Sequence, residues 1–129
     1  MDIKTHQKIE QSLCGKPTAI KDNEFATVVL DTTEKMTADE KGLVHGGFLF
    51  GAADYCAMLT VNHPNVVLGK ADVVFIKPVK VGDKVIFESV LKEDKGKKKI
   101  VEVIGKNQRD EIVFKGDFHC YVLEKHVLE

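Results

Sequence analysis

Residues 42–61, GLVHGGFLFGAADYCAMLTV, leave this chain few ways to fold. From Gly47 to Val61 no proline interrupts, and Phe48, Ala52, Tyr55 and Leu59 recur at helical spacing. Leu49, Phe50, Ala53, Cys56 and Met58 fill the other faces. A helix apolar all round is a buried helix, so it needs a sheet that curls around it. One chain's sheet does not cover such a helix fully, and part of it is expected to meet a partner subunit. The segment also carries one acid, Asp54, at its centre. A buried carboxylate is costly unless satisfied, so Asp54 needs either a structural partner or a function. By length alone the stretch would suit a membrane, which takes about 20 apolar residues without a central charge. Asp54 and the frequent glycines Gly46, Gly47 and Gly51 argue against a membrane span.

The flanking sequence supplies the sheet. Before the helix, THQKIEQSLCG predicts a short helix capped by Thr5 and ended by Gly15, with Ile9 and Leu13 on one face. EFATVVLDTT has the β-branched content of a strand, and residues 36–42, MTADEKG, read as a loop. After the helix comes the turn NHPN at residues 62–65. Four long strands follow: VVLGKADVVFIKP ending at Pro78, DKVIFESVLKED and KKKIVEVIGKN around the turn DKGK, and EIVFKGDFHCYVLEK. In the last, Ile112, Phe114, Gly116, Phe118, Cys120 and Val122 share one face. That period of two marks a half-buried antiparallel strand.

Composition narrows the function. The 129 residues fit one domain, and a formal net charge of −1 argues against a generic nucleic-acid binder. The three cysteines, Cys14, Cys56 and Cys120, form no CxxC pair, and the five histidines are scattered. No zinc or other metal site is expected, and the thiols read as reduced residues of a cytoplasmic protein. The polar start, MDIKTHQKIE, has no apolar core of a signal peptide.

The layout and the residues GLVHGGFLFGAADYCA resemble the hot-dog fold of acyl-CoA thioesterases, with the nearest motif in the phenylacetate-pathway (PaaI-like) branch. There a loop enters a central helix through His-Gly-Gly, and an acid follows nine positions after the histidine. His45, Gly46, Gly47 and Asp54 match that spacing. ADVVFIKPVKVGDKV, residues 71–85, is similar to the family's strand ending in Phe-x-x-Pro before a Gly-Asp or Gly-Glu turn. The resemblance covers roughly residues 24–123, the expected core of a single domain spanning 1–129, with residues 1–16 as a helical N-terminal extension. Residues 70–123 also resemble the effector-binding domain of the malonyl-CoA-responsive repressor of fatty-acid synthesis, a hot-dog that binds acyl-CoA without hydrolysing it. That repressor lacks the His-Gly-Gly and the acid. It carries a helix-turn-helix ahead of its hot-dog, whereas about 20 residues precede the first strand here, so no direct nucleic-acid binding is expected.

The resemblance implies an α+β hot-dog homodimer, or a dimer of dimers, acting in fatty-acid metabolism on acyl-CoA, with no cofactor beyond the coenzyme A of the ligand. Gly46 and Gly47 would leave the amides of a helix N-terminus open to a thioester carbonyl oxygen. Asp54, about 10 Å further along the helix, would act as general base or nucleophile, contributed across the dimer interface. His45 would bond the carbonyl or fix the turn. Phe48, Phe50, Tyr55 and Met58 are candidates for an acyl tunnel, with Phe48 and Tyr55 foremost, and Lys77 and Lys80 for the coenzyme's phosphates. Two departures from the family stand out. Asp39 replaces an asparagine common six residues before the histidine, and VVLGKA lacks the hydroxyl common near the start of the next strand. These departures keep a non-catalytic acyl-CoA-binding regulator as the alternative to a thioesterase. A purely structural module would leave the glycines and Asp54 unexplained.

Overall fold

A computed structural model describes residues 1–129. Six strands form one antiparallel sheet around a single long helix, the α+β hot-dog arrangement expected from the apolar segment. In chain order the elements are α1 (Gln11–Cys14), β1 (Lys16–Lys21), β2 (Phe25–Asp31), a 3-10 turn at Glu34–Met36, α2 (Gly46–Val61), β3 (Val66–Phe75), β4 (Lys84–Lys95), β5 (Lys98–Lys106) and β6 (Ile112–Val122). The strand order is β1-β2-β4-β5-β6-β3. The first and third strands are therefore the edges, and α2 crosses the concave side, touching all six strands. No helix is long and apolar enough to cross a membrane.

The enclosure of α2 follows from its composition. Ten of its sixteen residues are buried, and from Tyr55 to Val61 every position is. The small residues Ala52, Ala53 and Ala57 are wholly buried, which lets the helix backbone approach the sheet closely. A buried polar cluster fixes its rotation. Cys56 Sγ lies 3.2 Å from Ser89 Oγ on β4, and Thr60 Oγ1 bonds the same hydroxyl. Ser89 Oγ also donates to the carbonyls of Ala26 on β2 and Cys56 on α2. The hydroxyls thus satisfy one another and the backbone inside an apolar core, as burial demands.

The helix ends at Asn62, which adopts the left-handed conformation (φ 50°, ψ 50°) tolerated best by glycine and asparagine. Its side chain then holds the N-terminal arm. Asn62 Oδ1 accepts the Lys4 amide at 2.8 Å, and Nδ2 donates to Asp2 O and Asp22 Oδ1, both at 2.8 Å. Ile3, Ile9 and Leu13 of the arm pack on the core. The buried Tyr55 ring lies 6.2 Å from the His6 ring, and Gln11 Nε2 donates to Tyr55 Oη.

Three local expectations are corrected. The N-terminal helix is only Gln11–Cys14, ended as expected at Gly15; Thr5 bonds His6 Nδ1 rather than capping it. His6 has φ 51°, incompatible with a helix through residues 5–10, and Glu10 is the N-cap. Residues 16–21 form an additional strand before the helix, missed because KPTAIK is short, charged and carries a proline at its second position, the marks of an edge. In β6, Ile112 is 40% exposed and Val113 is buried, because a register shift at Gly105/Lys106 breaks the alternation there. From Phe114 to Cys120 the alternation holds.

Asn62→Ala removes three hydrogen bonds at a left-handed position. We expect it to lower stability by about 2–4 kcal/mol in urea denaturation, and to abolish amide-exchange protection at Lys4 before that of the sheet.

Candidate functional site

The loop ahead of α2 is tightly clamped. Asp39 Oδ1 accepts the amides of Lys41 and Leu43, at 2.9 and 3.1 Å. Ala38 donates to Leu43 O at 2.7 Å, Val44 to Val79 O at 2.8 Å, and His45 to Met36 O at 2.9 Å. Asp39 therefore organises the loop by accepting its backbone amides. The clamp delivers His45 as the N-cap in an extended conformation (φ −63°, ψ 131°). Its side chain makes no capping bond and instead meets Phe48 edge-on at 6.3 Å.

The first-turn amides of Gly46 and Gly47 have no acceptor within the helix. No side chain caps them, and no acidic residue stands in that turn to balance the helix dipole. Beside them lies an apolar groove of ≈ 240 Å³, lined by Leu43, Gly46, Leu49, Phe75, Ile76 and Pro78 among others. A Cβ on Gly46 would sit 3.2 Å from the Phe75 ring, so glycine lets that ring close on the helix end. An electropositive backbone corner next to an apolar groove suits a polarised carbonyl carrying an apolar group.

Asp54 lies two turns further on. Past the first turn, Phe50, Gly51 and Asp54 are the α2 residues left incompletely buried, and with Gly47 they share one face of the helix. Asp54 Oδ1 is shielded from solvent and has no hydrogen-bond partner. Burial pushes its carboxyl up to about 6 from the ordinary 3.8. Cys14 of the arm and Cys120 of β6 both feel its charge. Burial, reinforced by that charge, pushes the Cys120 thiol up to about 12 and the Cys14 thiol up as well. The Phe50 ring lies 5.6 Å from that of Phe118. No cation faces the acid. An unpartnered carboxylate that titrates near neutrality is suited to proton transfer.

The residues singled out in the sequence fall into three places. His45, Gly46, Gly47 and the half-buried Phe48 gather at the helix entrance. Asp54 stands about 10 Å away on the same helix. Tyr55, only 1% exposed, lies in the core under the arm and does not line the open face. Met58 is wholly buried too. Lys77 pairs with Glu111 at 2.9 Å, whereas the exposed Lys80 makes no ion pair and borders a cleft with Lys41, Leu43 and Arg109. Sequence reasoning passed over Phe75, although it ends the strand of the Phe-x-x-Pro motif. It also passed over Cys14 and Cys120 as neighbours of Asp54, which no local pattern brings together.

The sign of the Asp54 contribution to stability is fixed by the direction of its shift. The folded state holds the proton more tightly than the unfolded chain, so the neutral acid's stability is fully present below about pH 4. It is lost as pH rises through about 6. A displacement from 3.8 to about 6 corresponds to roughly 3 kcal/mol. Asp54→Asn should therefore be more stable than the wild type by up to about 3 kcal/mol near pH 8, and equal to it near pH 3.5, in denaturant melts at the two pH values.

No family model matches the chain. Among curated proteins it is 57% identical over 123 residues to a methylthioribose-1-phosphate isomerase of Aquifex aeolicus, covering 95% of this chain and 26% of that protein. It is 30% identical over 98 residues to transcription factor FapR of Shouchella clausii, covering 76% of this chain and 51% of that one. The chain thus spans about a quarter and about half of these relatives. Among solved structures, an uncharacterized protein of Pyrococcus horikoshii is 56% identical with a TM-score of 0.96, covering 100% of this chain and 98% of that one. A Streptococcus mutans protein bound to acetyl CoA has a TM-score of 0.81 at 21% identity, with coverages of 93% and 97%. The Escherichia coli PaaI protein from the phenylacetic acid degradation operon also gives 0.81, at 19% identity and coverages of 90% and 84%. The Pyrococcus match runs over nearly the whole of both chains and the PaaI likeness is one of fold: the chain has the hot-dog fold.

Proposed function

We propose that the protein is an acyl-CoA thioesterase, releasing a free acid and coenzyme A. The observation that carries this reading is Asp54, a shielded carboxylate with an unpartnered oxygen on the one open face of an otherwise enclosed helix. Nothing in the fold satisfies it, and a structural role would call for a partner. The amides of Gly46 and Gly47 polarise the thioester carbonyl. Asp54 takes a proton from water as the water oxygen bonds to the carbonyl carbon, or attacks that carbon itself. In the first route the negative charge collects on the carbonyl oxygen, against the two amides. The intermediate collapses, the carbon–sulfur bond breaks, and the thiolate leaves to be protonated. An acid with a pKa near 6 is mostly ionised at neutral pH and still basic enough to accept the proton.

The two parts of this machinery are about 10 Å apart in one chain, too far to act on one carbonyl. A homodimer, or a pair of dimers, brings one copy's helix entrance to the other's Asp54. The β3 edge supports this reading, since it pairs only with β6 and ends in the exposed Val74, Phe75 and Ile76 beside Gly46. Lys80, which makes no ion pair, and Lys41 are the cations offered to the coenzyme's phosphates in a cleft that Asp39 and Asp83 also line, and a cytoplasmic setting fits such a substrate. The Streptococcus mutans relative with acetyl CoA supports the ligand class. The isomerase name attaches to a protein most of which has no counterpart here. A second reading, an acyl-CoA-binding regulator without turnover, is favoured by the likeness to FapR.

Thiol release from a panel of acyl-CoAs separates the two. We expect turnover by the wild type, a loss of about 10²–10⁴ in Asp54→Asn, and a wild-type kcat/KM that rises with pH through a limb near 6. Absence of release across the panel, with acyl-CoA still raising the Tm, would leave the regulator.

A further inference from the structure

The chain has ten glycines. Nine have a visible structural reason, either a positive φ or atoms of the fold that a Cβ would meet within 4 Å. Gly51 has neither: it lies in the middle of α2, and a Cβ there would meet nothing within 4 Å. Glycine inside a helix is less stable than alanine by about 1 kcal/mol. Neither backbone geometry nor packing within the chain accounts for that loss. The vacant space is open to something outside the chain.

Its position says what. Gly51 lies between Gly47 and Asp54 on the one open face of the helix, flanked by the half-buried Phe50 ring. With no side chain at 51, a short trench is left along the helix between the His45 ring, which fills the space over Gly47, and Asp54. It ends at a carboxylate oxygen that has no partner within the chain, beside Cys14 of the arm and Cys120 of the sheet. Its floor is helix backbone and its flank the Phe50 ring, the Cys120 thiol is buried behind the acid, and no cation pairs with Asp54. That chemistry excludes the phosphates of the coenzyme and suits the acyl part of the ligand.

We infer that Gly51 is a specificity-determining residue: the acyl group lies over it beside Asp54, and its missing side chain sets the width of acyl group admitted. This rests on the thioesterase reading above. Alanine and leucine at this position fill the trench progressively while the carboxylate and the helix entrance stay in place.

The test compares wild type, Gly51→Ala and Gly51→Leu for melting temperature, mass by light scattering, and thiol release with acetyl-CoA, linear acyl-CoAs of increasing length and phenylacetyl-CoA. Gly51→Ala should melt a few degrees higher, as a helix gains from losing a glycine. In both variants KM for the wider acyl groups should rise, by about tenfold or more in Gly51→Leu, while acetyl-CoA changes far less. A higher Tm with unchanged kinetics, or an equal loss on every substrate, would overturn the inference. So would a fall in mass for Gly51→Leu, which would give the space to a second copy of the chain. If the wild type itself neither binds nor cleaves any acyl-CoA, the thioesterase reading fails first and the role of Gly51 falls with it.

Discussion

The structure depends on the enclosure of α2. A helix with apolar residues on every side has no stable place at a water interface, so the sheet must bend around it, and all six strands do touch it. The bend leaves strands at two edges and one helix face uncovered. Everything of chemical interest gathers at those margins: the uncapped entrance at His45, the Phe75 end of the β3 edge, and the open face with Asp54. The same hydrophobic surroundings that enclose the helix set the proton affinity of its one acid. Burial alone, with no partner charge, accounts for that shift.

Holding a rotation matters as much as holding a position. Turning α2 by one residue, about 100°, would bring Tyr55 to the open face and send Asp54 into the core. The buried cluster of Cys56, Thr60 and Ser89 opposes that turn with directional bonds, which nondirectional apolar packing does not supply. At the far end Asn62 stops the helix and holds the arm with a single side chain.

Much of this was legible in the sequence. The helix, the turn after it and the four strands that follow rest on period and length, which survive tertiary context. His45, Gly46, Gly47 and Asp54 were legible as candidates through their spacing and the family resemblance. What escaped depends on contacts between distant parts of the chain. Tyr55 has helical spacing suited to either a tunnel or a core, and only the arm folded over it decides for the core. The edge strand Lys16–Lys21 is written in residues typical of loops. Helical spacing at Ile9 and Leu13 was misleading, because residues 2–4 are tied to Asn62 and His6 takes a left-handed turn that helix propensity does not foresee. The neighbours of Asp54 come from positions 14 and 120, and no one-dimensional pattern joins them to 54.

The arm tied down at Asn62 has a consequence for acidity. Its last residues place Cys14 near Asp54, so the arm is part of the low-dielectric wall that keeps the carboxyl's proton affinity high. Lifting the arm would let water reach the carboxylate and return it toward the behaviour of an ordinary surface aspartate. The anchor at one end of the helix would thereby bear on the charge at its middle through solvent access.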